Sequence, residues 1–233
     1  MDEDPAPAPP RAADPARGAR TIVVGDAVAW MTRARLDASH AIVTSLPDAS
    51  EMGAMAFDAW RDWFVEVAEL VCRTVATSSP AVFFQTDVRR DGAWIDKAHL
   101  VARGADRAGA RCLFHKIVCR APAGVATRGR PSYAHLLAFA SAKGRLPVWD
   151  SADVLPSLGE MSWARAMGTA ACEEAVRFTA AAGFTTVVDP FCGRGTVLAV
   201  ANAYGLDAIG VEISVARAAK ARALRFVRGR GLA

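Results

Sequence analysis

The ten residues Val187-Val188-Asp189-Pro190-Phe191-Cys192-Gly193-Arg194-Gly195-Thr196 restrict what this chain can fold into more than any other stretch. An apolar run ends in an acid, turns through two glycines and leads into an apolar helical pattern, which reads as strand, turn and helix. Gly193 and Gly195 let backbone approach a ligand where any Cβ would collide. The helix that follows offers N–H groups without intrahelical partners to a negative group. Such a turn alone is shared by dinucleotide, phosphate and S-adenosylmethionine sites. A phosphate loop would need Gly-Lys-Ser/Thr, and a dinucleotide fingerprint a third glycine; neither follows Gly195. About twenty residues on, Gly210-Val211-Glu212 places a carboxylate where a strand-end acid accepts the hydroxyls of a ribose.

The rest of the chain supplies the same alternation. Apolar or β-branched runs at 21–24, 41–45, 81–86, 111–118, 133–139, 185–189 and 208–211 predict seven strands. Helical patterns fall at 27–36, 57–76, 94–108, 161–182, 195–204 and 213–228. In 57–76, Phe57, Trp60, Phe64, Val67 and Val71 recur at spacings of three and four and give one apolar face. This predicts an α/β fold, a mostly parallel sheet with helices on both faces. Residues 1–20 carry five prolines and no aromatic residue and are expected to be a disordered tail, with 21–233 a single domain. The five cysteines include no Cys-x-x-Cys pair, which suits a reducing compartment, and no apolar run reaches the about 18 residues of a membrane span. A cytoplasmic, membrane-free protein is expected. Four histidines without ligand spacing give no case for a metal.

Asp-Pro-Phe-Cys-Gly-x-Gly-Thr followed by Gly-Val-Glu resembles the cofactor motifs of the S-adenosylmethionine-dependent amino-methyltransferases that act on nucleic acids. The likeness is strongest to their permuted, DNA-methylase-like group, in which the catalytic half precedes the cofactor half. Gly25-Asp26-Ala27 is similar to that family's element whose Asp contacts the adenine amine. Arg130-Pro131-Ser132-Tyr133-x-His135 resembles the segment opening its last hairpin, and the stretch from Met161 to Met167 falls where the family places a helix over the methionine end. The resemblance covers residues 21–228. It implies a seven-stranded, Rossmann-like class I methyltransferase fold, circularly permuted, with the Asp189 strand first, the Glu212 strand second and the other five as third to seventh. It implies S-adenosyl-L-methionine as cofactor, held by Asp26, Ser45, Asp189, Pro190, Phe191, Gly193, Gly195, Thr196, Glu212 and Ile213. Cys192 reads as a small buried filler.

The family's catalytic tetrad, Asp/Asn-Pro-Pro followed by an aromatic residue, corresponds here to Ser45-Leu46-Pro47-Asp48. The candidate catalytic residues are therefore Ser45, Pro47 and Asp48, and three readings stay open. An amine is methylated with Ser45 and the Leu46 or Pro47 carbonyl as acceptors and Phe57, Trp60 or Tyr133 as the stacking ring. Alternatively Asp48 is a general base for another acceptor, or the site binds cofactor without catalysis. Asp48 also reads as a turn residue after Pro47. Gln85, Thr86 and Asp87 close a strand on the same sheet edge and are expected to line the acceptor pocket. Asp96 and His99 can form a local helical pair, and His115-Lys116 interrupts an apolar strand.

Only about twenty residues, 141–160, fill the interval where DNA-modifying relatives carry a target-recognition region. A nucleic-acid base, with structured RNA such as tRNA or rRNA favoured over DNA and nitrogen as the target, is the expected substrate. Arg120, Arg128 and Arg130, with Arg217, Arg222, Arg225, Arg228 and Arg230 near the C-terminus, are the candidate phosphate contacts. The alternatives are a small-molecule or protein methyltransferase using Asp48, and an inactive cofactor-binding partner subunit; a homodimer is also open.

Overall fold

A computed structural model describes residues 18–144 and 146–233. In chain order the elements are β1 (Arg20–Val24), α1 (Ala27–Met31), β2 (His40–Thr44), α2 (Phe57–Thr74), β3 (Pro80–Gln85), β4 (Val88–Arg90), β5 (Ala93–Ile95), α3 (Lys97–Arg107), β6 (Ala110–Cys119), β7 (Tyr133–Ser141), β8 (Val154–Leu155), α4 (Thr169–Ala181), β9 (Thr186–Asp189), α5 (Thr196–Ala203), β10 (Asp207–Glu212), α6 (Val215–Ala223), β11 (Phe226–Val227) and β12 (Gly231–Leu232). All seven expected strands form. They lie in one sheet in the order β1-β10-β9-β2-β3-β7-β6, with the two-residue β8 added at the edge as an eighth. Neighbours from β1 to β3 are parallel, while β7 runs antiparallel to β3 and β6.

The central strands are buried on both faces, as their continuous apolar runs require. Ala41, Ile42, Val43, Val82, Phe83, Val187 and Val188 are all fully enclosed. Two cores result, one on each face. Helices α2 and α3 cover one with Trp60, Phe64, Val67 and Val71 against Ile42, Phe83 and Val188, so the predicted stripe of α2 is the stripe it buries. Helices α4 and α5 cover the other with Cys172, Val176, Phe178 and Leu198 against Val43, Val82 and Val187.

Several boundaries differ from the sequence expectation. The helix expected over 161–182 begins only at Thr169. Gly168, extended at φ −71° and ψ 152°, lies so close to Leu158 that a Cβ there would sit 2.0 Å from its carbonyl oxygen, so residues 161–168 take turns instead. The helix expected over 94–108 begins at Lys97, because 88–95 pair as a hairpin. Its two-residue turn, Asp91 at φ 50° and Gly92 at φ 76°, uses the left-handed conformations that tight hairpins require. The helix of 27–36 closes at Met31, and that of 213–228 at Ala223, after which β11 pairs with β12. Residues 1–17 of the expected tail lie outside the described residues. At its end, Ala19 is already tied to β10, donating to Asp207 Oδ1 at 2.7 Å and accepting from the Ala208 N–H at 2.8 Å. No helix among the described residues is long and apolar enough to cross a membrane.

Candidate active site

The carboxyl ends of β1, β2, β9 and β10 lie side by side, which brings Asp26, Ser45, Asp189 and Glu212 together although the sequence separates them widely. They line a cleft of about 310 Å³, within the size range of small-molecule sites. Pro47, Pro190, Phe191, Gly193, Thr196 and Ile213 line it too.

Three acids in the cleft share one arrangement: one oxygen fixed by the protein, the other without a partner among the described residues. Asp26 Oδ1 caps α1 by accepting from the Ala29 N–H at 2.7 Å. Asp189 Oδ1 accepts from Thr44 Oγ1 at 2.7 Å and from the Phe191 N–H at 3.1 Å. Glu212 Oε1 accepts from the Ser214 N–H at 2.7 Å and from Arg217 Nε at 3.0 Å. Burial pushes the Asp189 carboxyl up to about 7; its two hydrogen bonds oppose the shift and the Glu212 charge adds to it. Such a cleft offers uncommitted acceptor oxygens to a ligand that brings hydroxyl or amino donors.

The two glycines of the turn serve different ends. Gly193 (φ 55°) and Gly195 (φ 81°) both take the left-handed conformation. A Cβ on Gly193 would touch only Trp163, at 3.9 Å, so that position stays open toward the cleft. A Cβ on Gly195 would lie 2.9 Å from Ala221 Cβ, so this glycine lets α6 pack onto α5, and Gly195 does not line the cleft. The expectation that Gly195 makes room for a ligand is corrected accordingly. Cys192 is buried, and burial with two nearby carboxylates pushes its thiol well up, as befits a filler.

Two tryptophans in the site, Trp63 and Trp163, went unread in the sequence. Trp63 meets Phe191 edge-on at 6.3 Å, and Trp163 stands beside Gly193 with the Arg194 guanidinium 5.4 Å from its ring. Trp63 sits one residue off the apolar stripe of α2, and a large ring off a helix's core face was the available signal. Trp163 belongs to the 161–167 segment, which is pinned over the turn by the Ser162 and Thr196 hydroxyls at 2.7 Å. The covering element expected there is present as a turn segment.

A smaller pocket of about 80 Å³ adjoins the cleft; Ser45, Leu46, Glu51, Arg165 and Ala166 line both. Gln85, Thr86 and Asp87 line it with Asp48, Lys97, Arg120 and Arg130. Asp48 pairs with the buried Lys97 ammonium and begins the short 3-10 turn Ala49–Glu51, where Glu51 Oε2 accepts its N–H at 3.1 Å. Asp87 accepts from the Lys97 N–H at 2.8 Å, Trp94 Nε1 at 2.9 Å and His135 Nε2 at 3.0 Å. Burial alone would raise its carboxyl; these hydrogen bonds outweigh it and hold Asp87 below the usual range. Asp96 caps α3 by accepting from the His99 N–H at 2.8 Å, so the expected pair is a cap. One ligand atom each from Asp87, Asp96 and His135 lies within 4.8 Å of the others, a grouping the sequence spacing hides.

None of the three rings expected to stack on an acceptor lines either pocket. Trp60 is fully buried and donates from Nε1 to the Pro47 carbonyl at 3.2 Å, bracing the tetrad from below. Phe57 stacks on Trp60 at 5.3 Å and Tyr133 on Trp94 at 6.4 Å. The arginines divide as well. Arg217 holds Glu212, Arg222 and Arg225 donate to main-chain carbonyls, and Arg228 lies over Tyr204. Arg128 lines neither pocket.

No protein-family model matches the chain, and no curated protein matches it in sequence. Solved structures do match its fold. A candidate DNA modification methylase from Thermus thermophilus, TTHA0409, in complex with S-adenosyl-L-methionine, superposes with a TM-score of 0.69 at 21% identity, over 88% of this chain and 92% of that one. The cytosine-N4-specific PvuII DNA methyltransferase gives 0.69 at 15% identity, over 89% and 87%. The M1.HpyAVI complex with its SAM ligand gives 0.60 at 15%, over 88% and 98%. The chain has the Rossmann-like methyltransferase fold of these structures.

Proposed function

We propose that this protein is an S-adenosylmethionine-dependent methyltransferase that modifies a nucleic-acid base at a nitrogen. The observation that carries this reading is a cleft in which Asp26, Asp189 and Glu212 each keep one carboxylate oxygen uncommitted, joined through Ser45 to a second, smaller pocket. The cleft fits the cofactor. Glu212 would accept the ribose hydroxyls, Asp26 the adenine amine, and Asp189 would face the positively charged amino-acid end, with Phe191 and the exposed Ile213 giving apolar cover. Bound there, the cofactor would supply an electrophilic methyl group on a positively charged sulfur. The protein's part is to hold an acceptor nitrogen against that methyl group, with Ser45 and Asp48 accepting the amine's hydrogens. Membership of the permuted group belongs to the same reading, supported by the order in which the Asp189, Glu212 and remaining strands cross the sheet.

Structured RNA is the favoured substrate. Residues 149–155, where a DNA-reading region would project, are tied to the protein's own β6 and α4. Lys116 Nζ donates to the Ser151 and Ala152 carbonyls at 3.0 Å, and Glu174 Oε1 accepts Trp149 Nε1 at 2.7 Å. DNA is the second reading, favoured by the descriptions of the structural neighbours. The test is transfer of labelled methyl groups to total RNA, genomic DNA, protein extract and a metabolite pool from a strain lacking the gene. Calorimetry with S-adenosylhomocysteine runs beside it. Label in a modified nucleoside is expected, with Glu212→Ala weakening cofactor-product binding at least tenfold. Unchanged affinity in Glu212→Ala and Asp189→Ala would overturn the cleft assignment. Label confined to protein or metabolites would overturn the nucleic-acid reading.

A further inference from the structure

Asp87 and Asp96 stand across from each other at the base of the β4–β5 hairpin. Val88 and Ile95 are its last registered pair, and these two acids are the next residue on either strand. His135 reaches the same place from β7, where it pairs with Gln85, two residues before Asp87. One ligand atom from each of the three lies within 4.8 Å of the others. Asp87 is 3% exposed and His135 6%, while Asp96 closes the group from the surface. A second observation concerns charge. Among the described residues neither acid pairs with a lysine or arginine, and the ammonium of Lys97, adjacent to Asp96 in the chain, is committed to Asp48. Two carboxylates, one of them buried, thus converge without a strong cation, and a doubly charged ion supplies what is missing.

The surroundings suit ligation. Asp87 is fixed by the Lys97 N–H at 2.8 Å and Trp94 Nε1 at 2.9 Å, the kind of outer hydrogen bonds that orient a ligating carboxylate. Asp96 spends Oδ1 on the cap of α3 and has no partner for Oδ2 among the described residues. His135 turns Nε2 toward Asp87 and meets His115 Nε2 with its other nitrogen, Nδ1, at 2.9 Å. Ligation through Nε2 leaves Nδ1–H to donate to His115, which fixes the ring as outer partners of ligating imidazoles do. An imidazole with two carboxylates favours a first-row transition ion over magnesium or calcium, and three protein ligands leave a position for water. Ligands at about 2.1 Å from one tetrahedral ion stand about 3.4 Å apart, so binding draws the exposed Asp96 inward. We propose that Asp87, Asp96 and His135 bind a divalent transition ion of the zinc type, with His115 as a positioning residue. The ion ties the base of the hairpin to β7. Through the Lys97 N–H held by Asp87 it also steadies the Lys97–Asp48 pair beside the small pocket. The site is separate from the cofactor cleft and stands whether or not the methylation reading holds.

The test titrates tag-free, chelator-stripped protein with Zn2+ by calorimetry and with Co2+ by visible absorption. One Zn2+ per chain is expected to bind with micromolar or tighter affinity. The Co2+ spectrum should show nitrogen and oxygen ligation without the thiolate charge-transfer band that the exposed Cys112 would give. Asp96→Asn keeps the helix cap, so it should fold and bind S-adenosylhomocysteine as before while binding Zn2+ at least tenfold more weakly. His99→Gln, one turn along α3, should leave Zn2+ affinity unchanged. Hydrogen exchange of the 88–97 amides should slow on adding Zn2+ to the wild type and not to Asp96→Asn. Absence of one-to-one binding by protein that binds S-adenosylhomocysteine overturns the proposal, as does unchanged affinity in Asp96→Asn or a thiolate band. Loss of binding in His99→Gln would put the ion on the exposed face of α3 and overturn it too.

Discussion

Asp189 shows how a single residue couples the site to the stability of the fold. Its carboxyl sits at the end of the central strand, buried beneath Thr44 and the Phe191 N–H, and its folded pKa is about 7 against 3.8 for the free group. Between those values the folded protein keeps a proton that the unfolded chain has released. The sign follows: the stabilising contribution is full below about pH 4 and is lost as the pH rises through 7, at up to roughly 1.4 kcal/mol per unit. Wild-type protein is thus expected to lose stability between pH 5 and 7.5 in urea titrations, once other groups are subtracted by comparison with Asp189→Asn. The variant should show a flatter profile over that window. Parallel profiles would show that Asp189 is ionised in the folded protein throughout. The cost of burying this acid is understandable if the site is built for a cationic ligand, which would hold the carboxylate ionised.

At the scale of elements, what the sequence made legible was the strands and what stands at their ends. Val187–Val188 and Ala41–Val43 are buried on both faces, so their composition announces them, and Asp189 and Ser45 beyond them fall together once the strands are parallel. Segments whose form is set by distant contacts were not legible. Gly168 stops α4 because Leu158 crowds it, and nothing near Gly168 in the sequence reports Leu158. The β4–β5 hairpin did carry a local signal, Asp91-Gly92 between polar residues, but the charges around it masked the strands. Lys116, by contrast, read as an interruption of an apolar strand, and in the fold it is 1% exposed while His115 reaches the surface. Its ammonium clips the 146–158 segment to α4 through Ser151, Ala152 and Glu174. Lys116→Met should therefore cost about 1 to 3 kcal/mol in urea unfolding, because it leaves the Ser151 and Ala152 carbonyls without their donor and the buried Glu174 carboxylate with only the half-exposed Arg177 as its cation. Adding Glu174→Leu should recover part of that loss. A neutral single variant would mean the segment is held by Trp149 and Leu155 packing alone.

For the molecule as a whole, a net charge of +4 says little until the arginines are placed. Arg20, Arg73, Arg111, Arg222 and Arg225 spend donors on main-chain carbonyls, so they brace the protein. Arg217 neutralises Glu212. Arg120 is different: among the described residues no carboxylate pairs with it, burial and the neighbouring Arg130 both lower its pKa, and the two guanidiniums stand at the edge of the small pocket. Arg130 spends one donor on the Ala164 carbonyl at 2.7 Å, and a phosphate beside the small pocket would offset the repulsion between the two guanidiniums. Each phosphate contact releases counterions, so affinity falls with salt in proportion to the number of contacts. Replacing Arg120 with alanine should reduce the slope of log affinity against log salt for a single-stranded oligonucleotide by about 1. Replacing Arg222 and Arg225 should lower the melting temperature and leave that slope unchanged, since those side chains are already committed to the fold. The reverse pattern would move the phosphate path from the mouth of the small pocket to the C-terminal helix, and with it the direction from which a nucleic-acid strand reaches Ser45.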